Sequence, residues 1–218
     1  MITSGLFIFL LSLNTCVWAG AEPAFHKGDI VVGLGIKSTT PGLGTDWGEF
    51  NVENKTTGVA HDAKPGDTSL GGELQALYFV TPWLGVGLSG SEEYFDHDVA
   101  SGVNMDVDTR IYNYLFLARV FLNPSQKYKV YIPLALGGAT ISARIDMSPS
   151  ERFNYSGFAG HAGLGVTRFF NESWAWAFEM RYNCNNFHAT KTNARQEVYR
   201  VYPGINYVSA TFRIDYRF

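Results

Sequence analysis

Few residues in this chain combine the type and the spacing that chemistry requires. His188-Ala189-Thr190 sets an imidazole and a hydroxyl on one face of an extended chain, and Glu197 follows closely enough to orient the ring. That trio is the minimum for an activated nucleophile. The remaining histidines, His26, His61, His97 and His161, are scattered, and among all 5 there is no HxH, HxxxH or HExxH spacing that would hold a metal. Neither a metal nor another cofactor is expected. Gly85-Val86-Gly87-Leu88-Ser89-Gly90 has the glycine spacing of a dinucleotide fingerprint, but that chemistry needs a helix N-terminus to receive the pyrophosphate, and the flanking residues supply none. A last set is ionic: Glu73, Arg119, Glu179, Arg181, Arg213 and Asp215 lie inside otherwise apolar segments.

The elements that must position these residues read as strands. Apolar segments of period two run over about 29–37, 70–80, 83–92, 109–121, 129–141, 157–169, 174–185 and 206–218, rich in Val, Ile, Leu, Tyr and Phe. No stretch of useful length has helical periodicity, and strand plus connector is too short for βαβ crossovers. The fold class is therefore all-β, an antiparallel up-and-down meander of eight strands. With 218 residues the chain suits one principal domain. A content of 46% hydrophobic residues, including 16 Phe, 12 Tyr and 5 Trp, excludes a disordered or low-complexity protein. Because a spanning helix needs about 20 consecutive apolar residues, any membrane crossing must use strands. The balance of 17 Lys+Arg against 20 Asp+Glu argues against nucleic acid as a partner.

Connector lengths alternate. Short turns fall at Thr81-Pro82, Asn123-Pro124-Ser125-Gln126 and Asn171-Glu172-Ser173, while long polar connectors cover 38–69, 93–108, 142–156 and 186–205. Tight turns on one side and large loops on the other are the layout of an outer-membrane barrel. Parity supports the same layout. Every second residue of the segments gives uncharged sets such as Ile30, Val32, Leu34, Ile36 and Tyr112, Tyr114, Phe116, Ala118, Val120. The opposite parity holds Asp29, Lys37, Glu73, Gln75, Asn113, Arg119, His161, Glu179, Arg181, Arg213, Asp215 and Arg217. A soluble lipocalin-like barrel would reverse this, with its apolar side chains in the lumen. Trp83, Tyr112, Tyr128, Trp174 and Tyr216 fall near strand ends as interfacial bands. Gly33, Gly35, Gly71, Gly85, Gly87, Gly137, Gly163 and Gly165 share the inward parity and make room for bulky lumen side chains. The six ionic residues are expected to form a paired plug rather than an ion path, since eight strands enclose only enough space for their own side chains. Pro133 falls inside the fifth segment, where a closed barrel has no free edge, and predicts a bulge or a shifted strand start.

The first 21 residues form an uncharged, apolar leader ending in Ala19-Gly20-Ala21, a small-x-small signal-peptidase pattern with cleavage after Ala19 or Ala21. The expected organisation is a signal peptide over 1–21 and a barrel domain over 22–218. Its removal leaves Cys184 alone, so no internal disulfide can form.

The terminal Ser209-Ala-Thr-Phe-Arg-Ile-Asp-Tyr-Arg-Phe218 resembles the last strand and assembly signal of bacterial outer-membrane proteins, with Phe212, Ile214, Tyr216 and Phe218 as the signal residues. As a pattern the resemblance covers the whole chain after the leader and is closest to the small eight-stranded OmpA/OmpX-like barrels, including the NspA type. Phe178-Glu-Met-Arg-Tyr182 is similar to their penultimate strand. It implies a monomer in the outer membrane of a Gram-negative bacterium, delivered by the barrel-assembly machinery and surrounded by lipid and lipopolysaccharide. It also implies a non-enzymatic surface role in envelope integrity, adhesion or binding of lipid or host components. An extracellular ligand would meet the loops, where Trp47 and Phe50 are the aromatic candidates, either to contact a partner or the lipid headgroups or to pack the loop on itself. Glu179-Met-Arg-Tyr182 and Pro203-Gly-Ile-Asn206 also resemble PagL-type lipid A deacylases. The catalytic His-x-Ser of that group would fall on Asn183-Cys-Asn-Asn186, which has neither residue, so a hydrolase would have to use His188, Thr190 and Glu197 instead. A secreted soluble ligand-binding barrel is the third reading.

Overall fold

The computed structural model describes residues 24–39, 50–54, 59–99, 106–145, 151–187, 189–192, 198–201 and 204–218, with side chains over 24–39, 69–95, 109–142, 154–187 and 204–218. The strands are β1 (Ile30–Thr39), β2 (Phe50–Asn54), β3 (Val59–Thr81), β4 (Leu84–Val99), β5 (Asp106–Phe121), β6 (Lys129–Ile145), β7 (Glu151–Phe169), β8 (Trp174–Phe187), β9 (Ala189–Thr192), β10 (Val198–Val201) and β11 (Gly204–Arg217). Eight of them, β1, β3 to β8 and β11, form an antiparallel ring. The ring closes because β1 pairs with both β3 (Leu34↔Leu74) and β11 (Leu34↔Ile214). Closure leaves the eight-stranded ring without a free edge, which a strand crossing lipid requires.

The three short strands extend the wall beyond the outer rim. β1 ends where Thr39 faces Ser69, and above that point β2 takes its place beside β3 through Phe50↔Ala63 to Asn54↔Val59. β10 pairs with β2 and with β9. The connectors expected over 38–69, 93–108, 142–156 and 186–205 thus contain much strand. β3 has 23 residues and β7 has 19, whereas a membrane crossing takes about 9–11. Hydrophobic alternation stops where the lipid stops, but the backbone ladder continues, because neighbouring strands still satisfy one another's amides and carbonyls.

The two faces follow the parity of the sequence. Leu34, Phe116, Leu164 and Leu136 are 61–74% exposed on the outer wall, whereas Glu73, Arg119, Glu179, Arg181 and Arg213 are at most 3% exposed in the lumen. This inversion removes the soluble carrier from consideration, since such a wall is stable only against lipid. Tight turns close the opposite end. Asn123 Oδ1 accepts from the Val130 amide at 2.5 Å, and Asn171 Oδ1 accepts from the Ser173 and Trp174 amides at 2.9 and 2.7 Å. Trp174, Tyr216 and Phe218 stack edge to face along this rim at 4.8 and 4.7 Å. Arg168, on the outward parity, donates to the Tyr128 hydroxyl at 3.1 Å and lies over its ring.

Pro133 corrects one expectation. Its strand starts at Lys129 and carries no bulge: Arg119↔Pro133 continues an unbroken register with β5. On the other side pairing with β7 lapses after Tyr131↔Gly165 and resumes at Leu134↔Ala162 in the same register. The missing N–H interrupts the ladder locally, and the intact neighbours on both sides hold the strand in place.

Candidate functional site

The lumen is filled in four layers. At the end carrying the tight turns, Phe25 stacks on Phe79 at 4.1 Å between ring centroids and touches Phe121 and Phe169 at 4.8 and 5.1 Å. Phe121 in turn packs on Tyr131 at 5.0 Å. Phe25 comes from the segment before β1, which is tied down by Gly28 N donating to Phe79 O at 2.9 Å and by Arg217 Nη1 donating to Ala24 O at 2.5 Å. Gly28 turns the chain at a φ of 100°, a conformation that side chains disfavour.

The middle layer is ionic. Arg181 reaches from β8 to Glu73 on β3, with Nη2 donating to Oε1 at 2.9 Å, and also pairs with Glu179. Arg213 on β11 contacts Glu179 Oε1 at 2.8 Å and donates through Nε to Asp215 Oδ1 at 2.5 Å. Arg119 on β5 donates to Asp215 Oδ2 at 3.3 Å, faces Glu179 at 3.5 Å and bonds Gln75. Tyr131 on β6 donates to Glu179 Oε1 at 2.6 Å. All six ionic residues singled out from the sequence therefore meet in one network. Inward glycines make the space: a Cβ at Gly33 would overlap Asp215 and Arg213, and one at Gly165 would overlap the Tyr131 ring.

Above it lies a second polar layer. Lys37 Nζ donates to Glu93 Oε1 at 2.5 Å and to Asn183 Oδ1 at 3.1 Å. Tyr207 and Asn113 also donate to Glu93 Oε1, at 2.7 and 3.3 Å. His161, Asn113 and Asn185 line a cavity of about 10 Å³, room for roughly one water molecule. The outer mouth is apolar again, with Phe95, Ile111, Ile141, Phe187 and Ile205 buried.

Taken together, the two polar layers hold Lys37, Arg119, Arg181 and Arg213 against Glu73, Glu93, Glu179 and Asp215, each cation within 4.0 Å of a carboxylate. Isolated charges in so narrow and sealed an interior would be prohibitively costly, and mutual pairing is what makes their burial tolerable. The same argument predicts a charge-swap asymmetry at the upper layer. Lys37→Met alone leaves Glu93 buried without its cation and is expected to cost about 3–5 kcal/mol, while adding Glu93→Gln recovers most of the loss. Urea titration of the barrel in lipid vesicles measures both.

Glu93, Tyr131, Tyr207 and Phe25 were not legible as site residues. Glu93 lies just past the expected end of its segment, although the alternation Ser91, Glu93, Phe95 continues inward and would have revealed it. Phe25 precedes every strand and carries no periodic signal. His188, Glu197 and Trp47 lie outside the described residues, as do the side chains of Thr190 and Phe50. Among the described residues no cluster of His, Cys, Asp or Glu could hold a metal.

A closed, lipid-faced ring of antiparallel strands with a polar, paired interior defines a class: the small transmembrane β-barrels of bacterial outer membranes. Over residues 7–218 the chain matches the family described as outer membrane protein beta-barrel domain, and it belongs to that family. Among solved structures it is similar to the outer membrane protein OprG from Pseudomonas aeruginosa, with 15% identity, 88% of this chain and 97% of that chain covered, and a TM-score of 0.67. It is also similar to Ail, the attachment invasion locus protein of Yersinia pestis, with 16% identity, 88% and 99% coverage, and a TM-score of 0.51. At such identities the likeness concerns the fold. No curated protein matches the chain by sequence. The family places the chain in the bacterial outer membrane.

Proposed function

We propose that this barrel is a non-enzymatic surface protein that supports envelope integrity and binds outer-leaflet lipid or a host component through the strands and connectors beyond its outer rim. The observation that carries the reading is the filled lumen. Four cations and four carboxylates neutralise one another between two apolar caps, so the described interior offers stabilising contacts rather than a route for solute. The outer end has the opposite character. There β2, β9 and β10 build wall that membrane crossing does not need, and binding usually resides on such projecting segments of a rigid scaffold. The signal peptide over 1–21 and delivery by the barrel-assembly machinery are part of the same proposal.

The test is a trimmed barrel in which residues 40–58 and 188–203 are replaced by short turns. It is expected to keep the heat-dependent gel mobility of a folded barrel, and where cells producing the full chain are expected to gain bile-salt resistance and surface adhesion, cells producing the trimmed chain are expected to gain neither. Equal protection and adhesion by the trimmed chain would overturn the assignment to the outer end. Solute flux through the full chain in swelling liposomes would overturn the plugged lumen.

A further inference from the structure

On the lipid-facing wall, toward the outer ends of β3, β4 and β5, lies a groove of about 600 Å³. Its floor is the bare backbone of Gly72 and Gly90, which are diagonal neighbours through Gly72↔Glu92 and Leu74↔Gly90. Leu34 and Leu74 line one side, and Tyr112 and Tyr114 line the other. These two glycines differ from those inside the barrel. The inward ones are imposed by crowding, whereas a Cβ at Gly72 or Gly90 would meet nothing closer than 4.0 Å. Packing does not require glycine at either position, and leucine would suit a lipid-facing strand better. A glycine in a strand interior often marks a bulge, a tight bend or a place where another molecule comes close to the backbone, and the β3–β4 register runs without a shift from Ser69 to Phe79.

The upper rim of the groove is charged. Arg110 Nη1 lies 3.6 Å from Glu92 Oε1, with both side chains more than half exposed, and its guanidinium sits over the Tyr94 ring at 5.9 Å. An exposed pair of this kind is weak, the Tyr112 hydroxyl also accepts from Arg110, and a guanidinium suits a phosphate through two parallel hydrogen bonds.

We propose that this groove binds one phosphorylated, acylated glycolipid of the outer leaflet, with an acyl chain in the slot over Gly72 and Gly90 and a phosphate on Arg110. The apolar slot leads directly to the cation, so one lipid satisfies both, and the outer end of the wall faces the leaflet where such lipids reside. The inference rests on the reading that outer-leaflet lipid is a partner of this barrel.

The experiment titrates the purified full chain in detergent with diphosphoryl lipid A and, separately, with its dephosphorylated form, counting bound lipid by native mass spectrometry. The wild type is expected to take up one diphosphoryl lipid A before any further adducts. Arg110→Ala is expected to weaken that binding about tenfold and to abolish the preference for the phosphorylated form. Gly90→Leu fills the slot and is expected to weaken both forms alike, and Glu92→Gln, by removing the competing carboxylate, is expected to strengthen binding of the phosphorylated form. Arg110 is exposed, so its variant folds however Gly90→Leu behaves, and heat-dependent mobility checks each. Wild-type uptake that neither Arg110→Ala nor Gly90→Leu changes would overturn the groove as the site while leaving lipid as a partner. No uptake by the wild type would overturn both the groove and the lipid-binding reading.

Discussion

Replacing Arg181 with methionine is expected to lower the unfolding free energy of the barrel by about 3–5 kcal/mol, the usual cost of removing one partner from a buried ionic network. Arg181 is 1% exposed and joins Glu73 on β3 to Glu179 on β8, across the barrel rather than along one hairpin. Without it the one cation beside Glu73 among the described residues is Arg213 at 3.8 Å, while Glu179 keeps Arg213 at 2.8 Å and Arg119 at 3.5 Å. Glu73 is therefore the group left exposed to the desolvation penalty, and Arg181→Met combined with Glu73→Gln is expected to regain more than half of the loss. Urea unfolding in lipid vesicles, followed by tryptophan fluorescence, measures both. A single-variant loss below about 1 kcal/mol, the scale of a solvated surface pair, would show that the layer is open to water.

Replacing Phe25 with alanine is expected to cost about 3 kcal/mol, the lower end of the range for a buried phenylalanine, because a segment near a chain terminus can detach instead of preserving a cavity. Phe25 is 3% exposed and sits among Phe79, Phe121 and Phe169, whose edge and stacked contacts add to the burial of its ring. The variant should unfold at lower temperature and admit protease at residues 24–29, which the wild type protects through the bonds from Gly28 to Phe79 and from Arg217 to Ala24. Conductance in a planar bilayer should remain at background, since the ionic layer above is untouched. A conducting Phe25→Ala barrel would show that the aromatic cap, and not the ionic layer, closes the lumen.

Alternation alone determined the architecture. Leu34, Phe116 and Leu164 on one parity, with Glu73, Arg119 and Arg213 on the other, already specify strands whose apolar side faces lipid, because side chains of period two can have only two faces and the charged one cannot face hydrocarbon. The final Phe212, Ile214 and Tyr216 lie on the outer parity of β11, with Phe218 directly after its end, and β11 is the strand that pairs with β1 to close the ring. What alternation cannot specify is height around the ring, since each antiparallel pairing adds its own register. Only the assembled barrel brought Glu73 and Arg181, 108 residues apart, to one level, and Lys37 and Glu93, 56 apart, to the next. Pairing with adjacent strands held Pro133 in an unshifted strand and set Gly72 beside Gly90 beneath Arg110, and the enclosed lumen drew in Phe25. The ionic contacts link strands that are distant in sequence, and their partners become neighbours only once the registers of the intervening strands have been added together.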